Sequence, residues 1–595
     1  MTALLDPTTW PVAKVEALLA AGDNLRVGPD ARSFAHGIVV GSTGPLATYA
    51  GARALQAGGT AVDAALVTAL TQVALAAGCW VSYAGRMTLV HYEAATGEVL
   101  SLDGGYKTFR EETDPGSIPF SGVPSGRTAL VPGFFSAAQE AHNRFGKLPW
   151  ADLFLPAIWV AEGVPLGTSL AGMFQMRKVV LGRTPEARAA LTTDGEVPVQ
   201  GDTLRQPELH RTLRMVAEHG ADYIYSGAWA QKFVEIVRRE GGKVVAEDLS
   251  EYRAQWGEPL RARVKDFEVA AIAGSQTGGA ALIEGLKVAA ELNLGDPATD
   301  AEALHLLTQI TRTSVSFTAA LEPAARVTDE HAQKLAKRLR ETGKAVTPTD
   351  LVNAGSHSDF VCVVDQERNA VAVGHTINTV AWGSTGIFVD GISIPDSAAF
   401  QQLDMERLTP GDWLPSPTNP AIVLKDGKPV LVSASIGAGL AQSTLTSVHR
   451  FLTGASVADI VSGLAIHGPY YGVPMTDSIN NDLGDEIEKS ETKNSFDEMM
   501  STIRDAAEAT RVAVKGGADL YEYTSASMNL MPQSVTGATP ELVEEVKALG
   551  TELNLHPDDD AAFGRGMWGG IAIDEVNGRL HGGRSAFVNS RVEGV

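Results

Sequence analysis

The sequence predicts an α+β protein, and three observations carry that prediction. Residues 130–270 show mostly helical spacing broken by Pro and Gly, and residues 300–350 form a polar helical run ending at Pro348. Beyond the stretch Gly355-Ser356-His357-Ser358, short apolar runs separated by turn residues read as strands. A hairpin signal already stands near the start, where Thr88-Leu89-Val90-His91-Tyr92 and Glu98-Val99-Leu100-Ser101-Leu102 flank Ala95-Thr96-Gly97.

In order along the chain, Ile38-Val39-Val40 predicts a short strand. Pro45 to Gln56 and Thr60 to Ala77 predict helices, the second capped by Thr60 with Asp63 in its first turn, where a carboxylate favours the helix N-terminus. Phe267 to Ile272 reads as a strand, and Ser275-Gln276-Thr277-Gly278-Gly279 opens a helix at Ala280. Phe360–Val364, Ala370–His375, Gly386–Val389, Ala421–Leu424 and Pro429–Ser433 are strand-like, and Thr444–Leu452 and Val457–Leu464 helical. Residues 476–520 are strongly charged and read as a surface insertion, helical near its end. A helix (Pro540–Leu549), an acidic turn (Asp558-Asp559-Asp560) and two strands (Gly570–Asp574, Arg579–Gly582) finish the chain, with no internal repeat.

Composition narrows the function. With 595 residues, 44% hydrophobic and 20% charged, the chain can bury a large core. The 48 Lys and Arg against 71 Asp and Glu leave a net charge of −23, which disfavours nucleic acid and anionic membranes as partners. Two cysteines, Cys79 and Cys362, rule out a disulfide framework and a Cys-rich zinc site; buried free thiols are expected, and a single bridge stays open. The N-terminal segment does not read as a signal peptide and no stretch of about 18 apolar residues occurs, so a cytoplasmic protein is expected. Gly564-Arg565-Gly566-Met567-Trp568-Gly569 matches a dinucleotide-binding pattern, but an apparent strand follows where that site needs a helix. Gly437-Ala438-Gly439 follows a strand and precedes a helix, a turn whose backbone N–H groups can cradle an oxyanion.

The informative segment runs from Gly355 to Asp365. Ser358 stands directly before a buried strand, at the seam between helical and β-rich parts. Cutting the preceding peptide bond would give Ser358 an α-amino group with a pKa of about 8, able to take the hydroxyl proton itself. A serine that merely caps the strand is the other reading.

Several blocks resemble the γ-glutamyltransferase family of N-terminal-nucleophile hydrolases. Gly58-Gly59-Thr60-Ala61-Val62-Asp63-Ala64-Ala65 is similar to its G-G-N-A-V-D-A-A helix start. Pro132-Gly133 followed by Arg144-Phe145-Gly146-Lys147-Leu148-Pro149-Trp150 resembles its P-G…R-F-G-x-L-P-W stretch, and Thr277-Gly278-Gly279 its S-S-G-G turn. Phe360 to Asp365 with Asn369-Ala370-Val371, then Thr376-Ile377-Asn378-Thr379 and Ser416 to Val423, follow the family's order, so the blocks run from about residue 36 to 465. The resemblance implies a four-layer αββα sandwich, made as one precursor and cleaved into fragments 1–357 and 358–595. It places Ser358 on the catalytic threonine, Thr376 on a supporting hydroxyl, Asn378 on a substrate-binding asparagine and Ser416 on one of the paired serines. Gly437 and Ala438 fall on the glycine pair whose N–H groups form the oxyanion hole. Without the resemblance, Thr376 and Asn378 read as a satisfied β-turn.

The departures matter as much. Asp359 follows the nucleophile where the family has Thr; it either orients the amine, raises its pKa, or is a surface acid. Asp103-Gly104-Gly105-Tyr106 lacks the arginine that grips the substrate carboxylate, Ile392-Ser393-Ile394-Pro395-Asp396 replaces the stretch that holds the α-amino group, and the paired serines reduce to Ser416-Pro417. Such a site should bind a zwitterionic γ-glutamyl head poorly. Arg86 and Tyr83 are candidate replacement anchors for an anionic acyl group, Arg86 being alternatively a structural salt bridge, and Trp382 is either a pocket wall or core. The expected function is hydrolysis or transfer of a small amide other than a standard γ-glutamyl compound, with no metal or organic cofactor. The two fragments would form a heterodimer, with a higher oligomer left open. The alternatives are an uncleaved, non-catalytic ligand-binding relative and a true γ-glutamyltransferase or glutathione hydrolase.

Overall fold

The computed structural model describes residues 2–24, 27–119, 123–192, 195–316, 321–344, 358–379, 381–469, 533–556 and 565–595. The charged insertion at 476–520, the acidic turn at 558–560 and His357 lie outside the described residues.

Two seven-stranded sheets stack face to face. The first runs, in spatial order, Val592–Gly594, Ile38–Gly41, Ser358–Val364, Ala370–Thr376, Arg86–Glu93, Glu98–Gly104 and Gln255–Gly257. The second runs Asp30–Phe34, Arg579–Arg584, Met567–Asp574, Lys428–Ile436, Ala421–Lys425, Phe267–Ala271 and Leu260–Val264. Alternation along each strand builds the layers. Phe360, Cys362 and Val364 face inward and meet Ile422, Val432 and Ile571 of the second sheet. Val361 and Val363 face outward onto helices Pro45–Gln56 and Ala61–Leu75. On the far side, Val269, Val423 and Leu431 pack against helices Thr277–Glu291 and Leu440–Leu452. The result is the expected αββα sandwich.

The blocks that carry the family resemblance meet in space. Thr60 Oγ1 accepts from Asp63 N at 3.2 Å while Asp63 Oδ2 accepts from Thr60 N at 3.0 Å, a reciprocal helix cap. The same Asp63 oxygen accepts the N–H groups of Lys147 and Leu148 at 2.9 and 3.1 Å. Asp365 Oδ2, at the end of the Ser358 strand, accepts from Ala61 N at 2.9 Å and so docks that strand on the same helix.

Several expectations need correction. Residues 130–270 also contain strands Gln255–Gly257, too short to show a pattern, and Leu260–Val264, whose alternation of apolar residues with Arg261 and Arg263 was passed over as part of the helical stretch. Asp30–Phe34 was not expected either, because an edge strand with three exposed residues carries no apolar alternation. The helices after the two glycine turns begin earlier than expected, at Thr277 and Leu440. Met567–Asp574 is a strand, as its sequence suggested, so no helix follows Gly566 to receive a dinucleotide phosphate. Cys79 and Cys362 are buried free thiols.

Candidate active site

Ser358, Thr376 and Arg86 form one row across the first sheet. Ser358 opens its strand and pairs with Thr376, which closes the next; Thr376 in turn pairs with Arg86, which opens the third. Direct cross-strand partners point to the same face, here the one turned toward the second sheet. Neighbouring strands are roughly 4.8 Å apart, so Thr376 stands between Ser358 and Arg86, whose backbones are about 10 Å apart. All three side chains are buried. Thr376 Oγ1 accepts from Asn378 N at 2.9 Å. Asn378 sits at φ 54°, and its Nδ2 donates to Gln401 Oε1 at 2.5 Å. Gln401, which sequence reading passed over, is itself fixed by Nε2 donating to the Pro415 carbonyl at 2.7 Å.

The glycine turn lies at the same end of the sandwich. Phe360, two residues after Ser358, abuts Gly569, the cross-strand partner of Ala434. Gly374, two residues before Thr376, faces Thr418. Both contacts bring the Ser358 end of one sheet against the Ile436 end of the other, where Gly437 and Ala438 leave the strand for helix Leu440–Leu452. Gly437 has φ 86°, and a Cβ there would collide with the Arg565 carbonyl, so the position demands glycine. Among the described residues neither the Gly437 nor the Ala438 N–H has a protein acceptor. Ser416 braces this end: its carbonyl accepts from Thr277 N at 2.7 Å and its N–H donates to the Ser275 carbonyl at 3.2 Å.

Asp359 is not a surface acid. It is fully buried and points to the helix side, opposite Ser358. Its carboxylate accepts from Ser42 Oγ at 2.6 Å, Thr43 Oγ1 at 2.8 Å and Trp80 Nε1 at 3.3 Å. Burial pushes its pKa up to about 7, against the pull of those donors. Ser42 also accepts from Phe360 N at 2.8 Å, so the network grips the strand just after Ser358.

Arg86 makes no structural salt bridge with the described residues. Its Nε, Nη1 and Nη2 are buried and have no hydrogen-bond partner among them. The guanidinium lies 5.9 Å from the Tyr106 ring centre. Burial lowers its pKa to about 10, offset by Tyr106 and Asp103, so it stays charged near neutrality. Asp103 does not neutralise it by contact. Asp103 Oδ1 accepts from Gly105 N and Gln276 Nε2, both at 2.9 Å, and Oδ2 accepts from Ser275 N and Oγ, both at 2.7 Å.

Two candidate residues fall elsewhere. Tyr83 is core: its hydroxyl donates to the Leu70 carbonyl at 2.6 Å, and its ring stacks on Phe135 at 5.2 Å on the helix side of the sheet. Trp382 packs 4.9 Å from Phe174 in an apolar cluster with Cys79, its Nε1 donating to the Ala77 carbonyl at 2.8 Å. Neither stands in the Ser358 row, because the aromatic partners of each lie in other layers.

Known proteins resemble this architecture. The sequence profile described as Gamma-glutamyltranspeptidase matches residues 47–528. A glutathione hydrolase proenzyme of Pseudomonas aeruginosa is 28% identical over 442 residues, covering 67% of this chain and 76% of its own length. The Acylase ACY 1 proenzyme of Pseudomonas sp. strain SE83 is 25% identical over 441 residues, covering 67% of this chain and 75% of its own. The crystal structure of cephalosporin acylase from Bacillus halodurans superposes with a TM-score of 0.73 at 18% identity, over 95% of this chain and 97% of that one. At that identity the likeness shows the shared fold.

Proposed function

Because the chain belongs to the gamma-glutamyltranspeptidase family, whose profile spans residues 47–528, we propose that its amidohydrolase or acyltransferase chemistry is carried by Ser358, freed by scission of the bond before it. The observation that supports this most is the row itself. Ser358 stands where the family has Thr, its strand partner is Thr376, and the Gly437 and Ala438 amides, without an acceptor among the described residues, stand at the same end.

In the scission, Ser358 Oγ attacks the carbonyl carbon of residue 357. The amide becomes an ester as the bond to the Ser358 nitrogen breaks, and water then hydrolyses the ester. The products are a carboxylate at 357 and a free amine at Ser358. In turnover that amine takes the hydroxyl proton as Oγ attacks the substrate carbonyl, and the Gly437 and Ala438 N–H groups stabilise the oxyanion. The protonated amine gives its proton to the departing nitrogen, leaving an acyl-enzyme that water or an acceptor amine resolves. Thr376 holds the amine and hydroxyl in register, and Asn378 orients substrate. No metal or cofactor enters these steps. The two fragments stay together as a heterodimer because each contributes hydrogen-bonded strands to both sheets.

The substrate is a small amide other than a standard γ-glutamyl compound. The relative named an acylase fits that substrate reading, and so does Asp103, whose carboxylate already accepts four hydrogen bonds. Asp396 accepts from Thr379 Oγ1 at 2.5 Å and Ser384 N at 2.9 Å, which ties its carboxylate to its own loop. A panel of chromogenic amides tests it: γ-glutamyl anilide should be turned over at least about tenfold more slowly than the best acyl anilide. Equal or faster γ-glutamyl turnover would restore the glutathione-hydrolase reading.

A further inference from the structure

We propose that a cleft at one edge of the sandwich, walled by Arg32, Arg584 and Arg591, binds the phosphoryl group of a small phosphate monoester. The cleft is separate from the Ser358 chemistry: none of Ser358, Thr376, Gly437 and Ala438 lines it.

The inner face of the second sheet is apolar at Val432, Ile571 and Leu580, which fill the space between the sheets. Toward the edge strands Asp30–Phe34 and Val592–Gly594 the same face becomes charged. Leu580 pairs with Phe34 and Arg584 with Asp30, so by alternation Asp30, Arg32 and Arg584 share that inner face. Arg32 is the diagonal neighbour of Arg584, with backbones roughly 7–8 Å apart. Arg591 comes from the residue before the other edge strand, and the cavity between them has a volume of about 420 Å³. Its charges do not balance. Asp30 is the one carboxylate among the described residues that line it, and its oxygens are taken: Oδ1 accepts from Arg32 Nε at 3.0 Å and Oδ2 from Val592 N at 3.2 Å. Arg584 is buried and spends Nε and Nη1 on the carbonyls of Ser590, Gly28 and Ser585, which leaves Nη2 without a hydrogen bond to the described residues. Arg591 makes no hydrogen bond or ion pair with them. Burial lowers the Arg584 pKa to about 10, Asp30 opposes that, and Arg32 and Arg591 add their repulsion. Three guanidinium groups against one carboxylate are an excess of positive charge in a chain whose net charge is −23. A bound anion would offset that repulsion. A carboxylate brings one charge and two oxygens in a plane, whereas a phosphate monoester carries about −1.5 to −2 at neutral pH and three terminal oxygens, which suits guanidinium groups arriving from three chain segments. The wall is set in advance, since Asn589 Nδ2 donates to the Gly22 carbonyl at 2.5 Å and its Oδ1 accepts from Gly44 N at 3.2 Å. The cavity exceeds one phosphoryl group, which leaves room for the organic part of the ester.

Titration of the full-length protein, prepared in phosphate-free buffer, tests the proposal. Inorganic phosphate and glycerol 2-phosphate should each bind saturably by calorimetry and raise the melting temperature, while chloride and acetate at the same ionic strength should do neither. Arg591→Gln should weaken phosphate binding by about tenfold or more, the loss of a charge-assisted contact. Its ligand-free melting temperature should stay that of the wild type, because the side chain has no partner among the described residues. Arg591→Lys should bind with intermediate affinity, keeping the charge and losing the planar fork. Arg32→Gln is the second variant and should weaken binding as well. Ser358→Ala should bind phosphate as the wild type does, so that failure of the nucleophile assignment leaves this site standing. No effect of phosphate beyond that of chloride overturns the proposal, and so does unchanged affinity in both Arg591→Gln and Arg32→Gln. Acetate matching phosphate overturns the phosphoryl preference, and exclusion of glycerol 2-phosphate while inorganic phosphate binds overturns the monoester assignment.

Discussion

Arg326 and Arg86 are both sealed inside the sandwich, one in an outer helical layer and one between the two sheets. Arg326 lies in the helical layer over the second sheet, where its Nε donates to Glu284 Oε2 at 2.7 Å. His331 Nε2 reaches the same oxygen at 3.0 Å. Burial pushes the Glu284 carboxyl up, yet Arg326 and His331 hold it below its ordinary value. Arg86, in the first sheet, has no such carboxylate among the described residues. Charge buried for architecture is matched within the protein. The charge buried in the Ser358 row has no such match among the described residues.

The largest effect is expected at the reacting end of that row. Ser358→Ala should abolish chain scission and lower amide turnover by about 10³-fold or more, read on a denaturing gel and by anilide release. Next comes the matched pair of arginines. Arg326→Met strands Glu284 and should cost about 3–5 kcal/mol, seen as a large drop in melting temperature. Arg86→Met removes an uncompensated charge and should leave the melting temperature unchanged or higher. Equal losses in both variants would erase the contrast. A smaller effect should follow Thr376→Val, about 10- to 100-fold in kcat, because the hydroxyl that receives Asn378 N and flanks Ser358 is gone.

The smallest effect concerns Asp359, on the opposite face from the row. Its folded pKa, about 7, lies above the ordinary aspartate value of about 3.9, so the native state binds the extra proton between them. Stability from this group is therefore highest below about pH 4 and declines as pH rises toward 7. Asp359→Asn should flatten the change in melting temperature between pH 5 and pH 7.5. An unaltered slope would show that the carboxylate is ionised throughout that range.

Much of this site can be read from the sequence, and the limits are physical. Ser358, Thr376 and Asn378 are singled out by the family resemblance rather than by their own pattern, whereas the Gly437 turn shows as a strand–glycine–helix junction; the structure brings Ser358 and Thr376 together in register. Asp359 was misjudged as a group acting on the amine or a surface acid, although strand alternation next to Ser358 turns it to the other layer, where it is buried on Ser42, Thr43 and Trp80. Arg86 is the opposite case. That it lacks a partner depends on Ser275 and Gln276 claiming Asp103 from more than 170 residues away. Tyr83 and Trp382 show the same limit: nearness to site segments along the chain does not fix the layer an aromatic ring enters, which here is decided by Phe135 and Phe174. The fold was legible wherever apolar alternation marked an inner strand, and illegible at polar edges such as Asp30–Phe34.

The intact mass of the purified protein tests the central claim most directly. Two species should appear, one spanning 1–357 and one spanning 358–595 with Ser358 at its N-terminus, and both should be replaced by a single full-length species in Ser358→Ala. A single 595-residue chain that hydrolyses amides, or fragments that persist in Ser358→Ala, would contradict it.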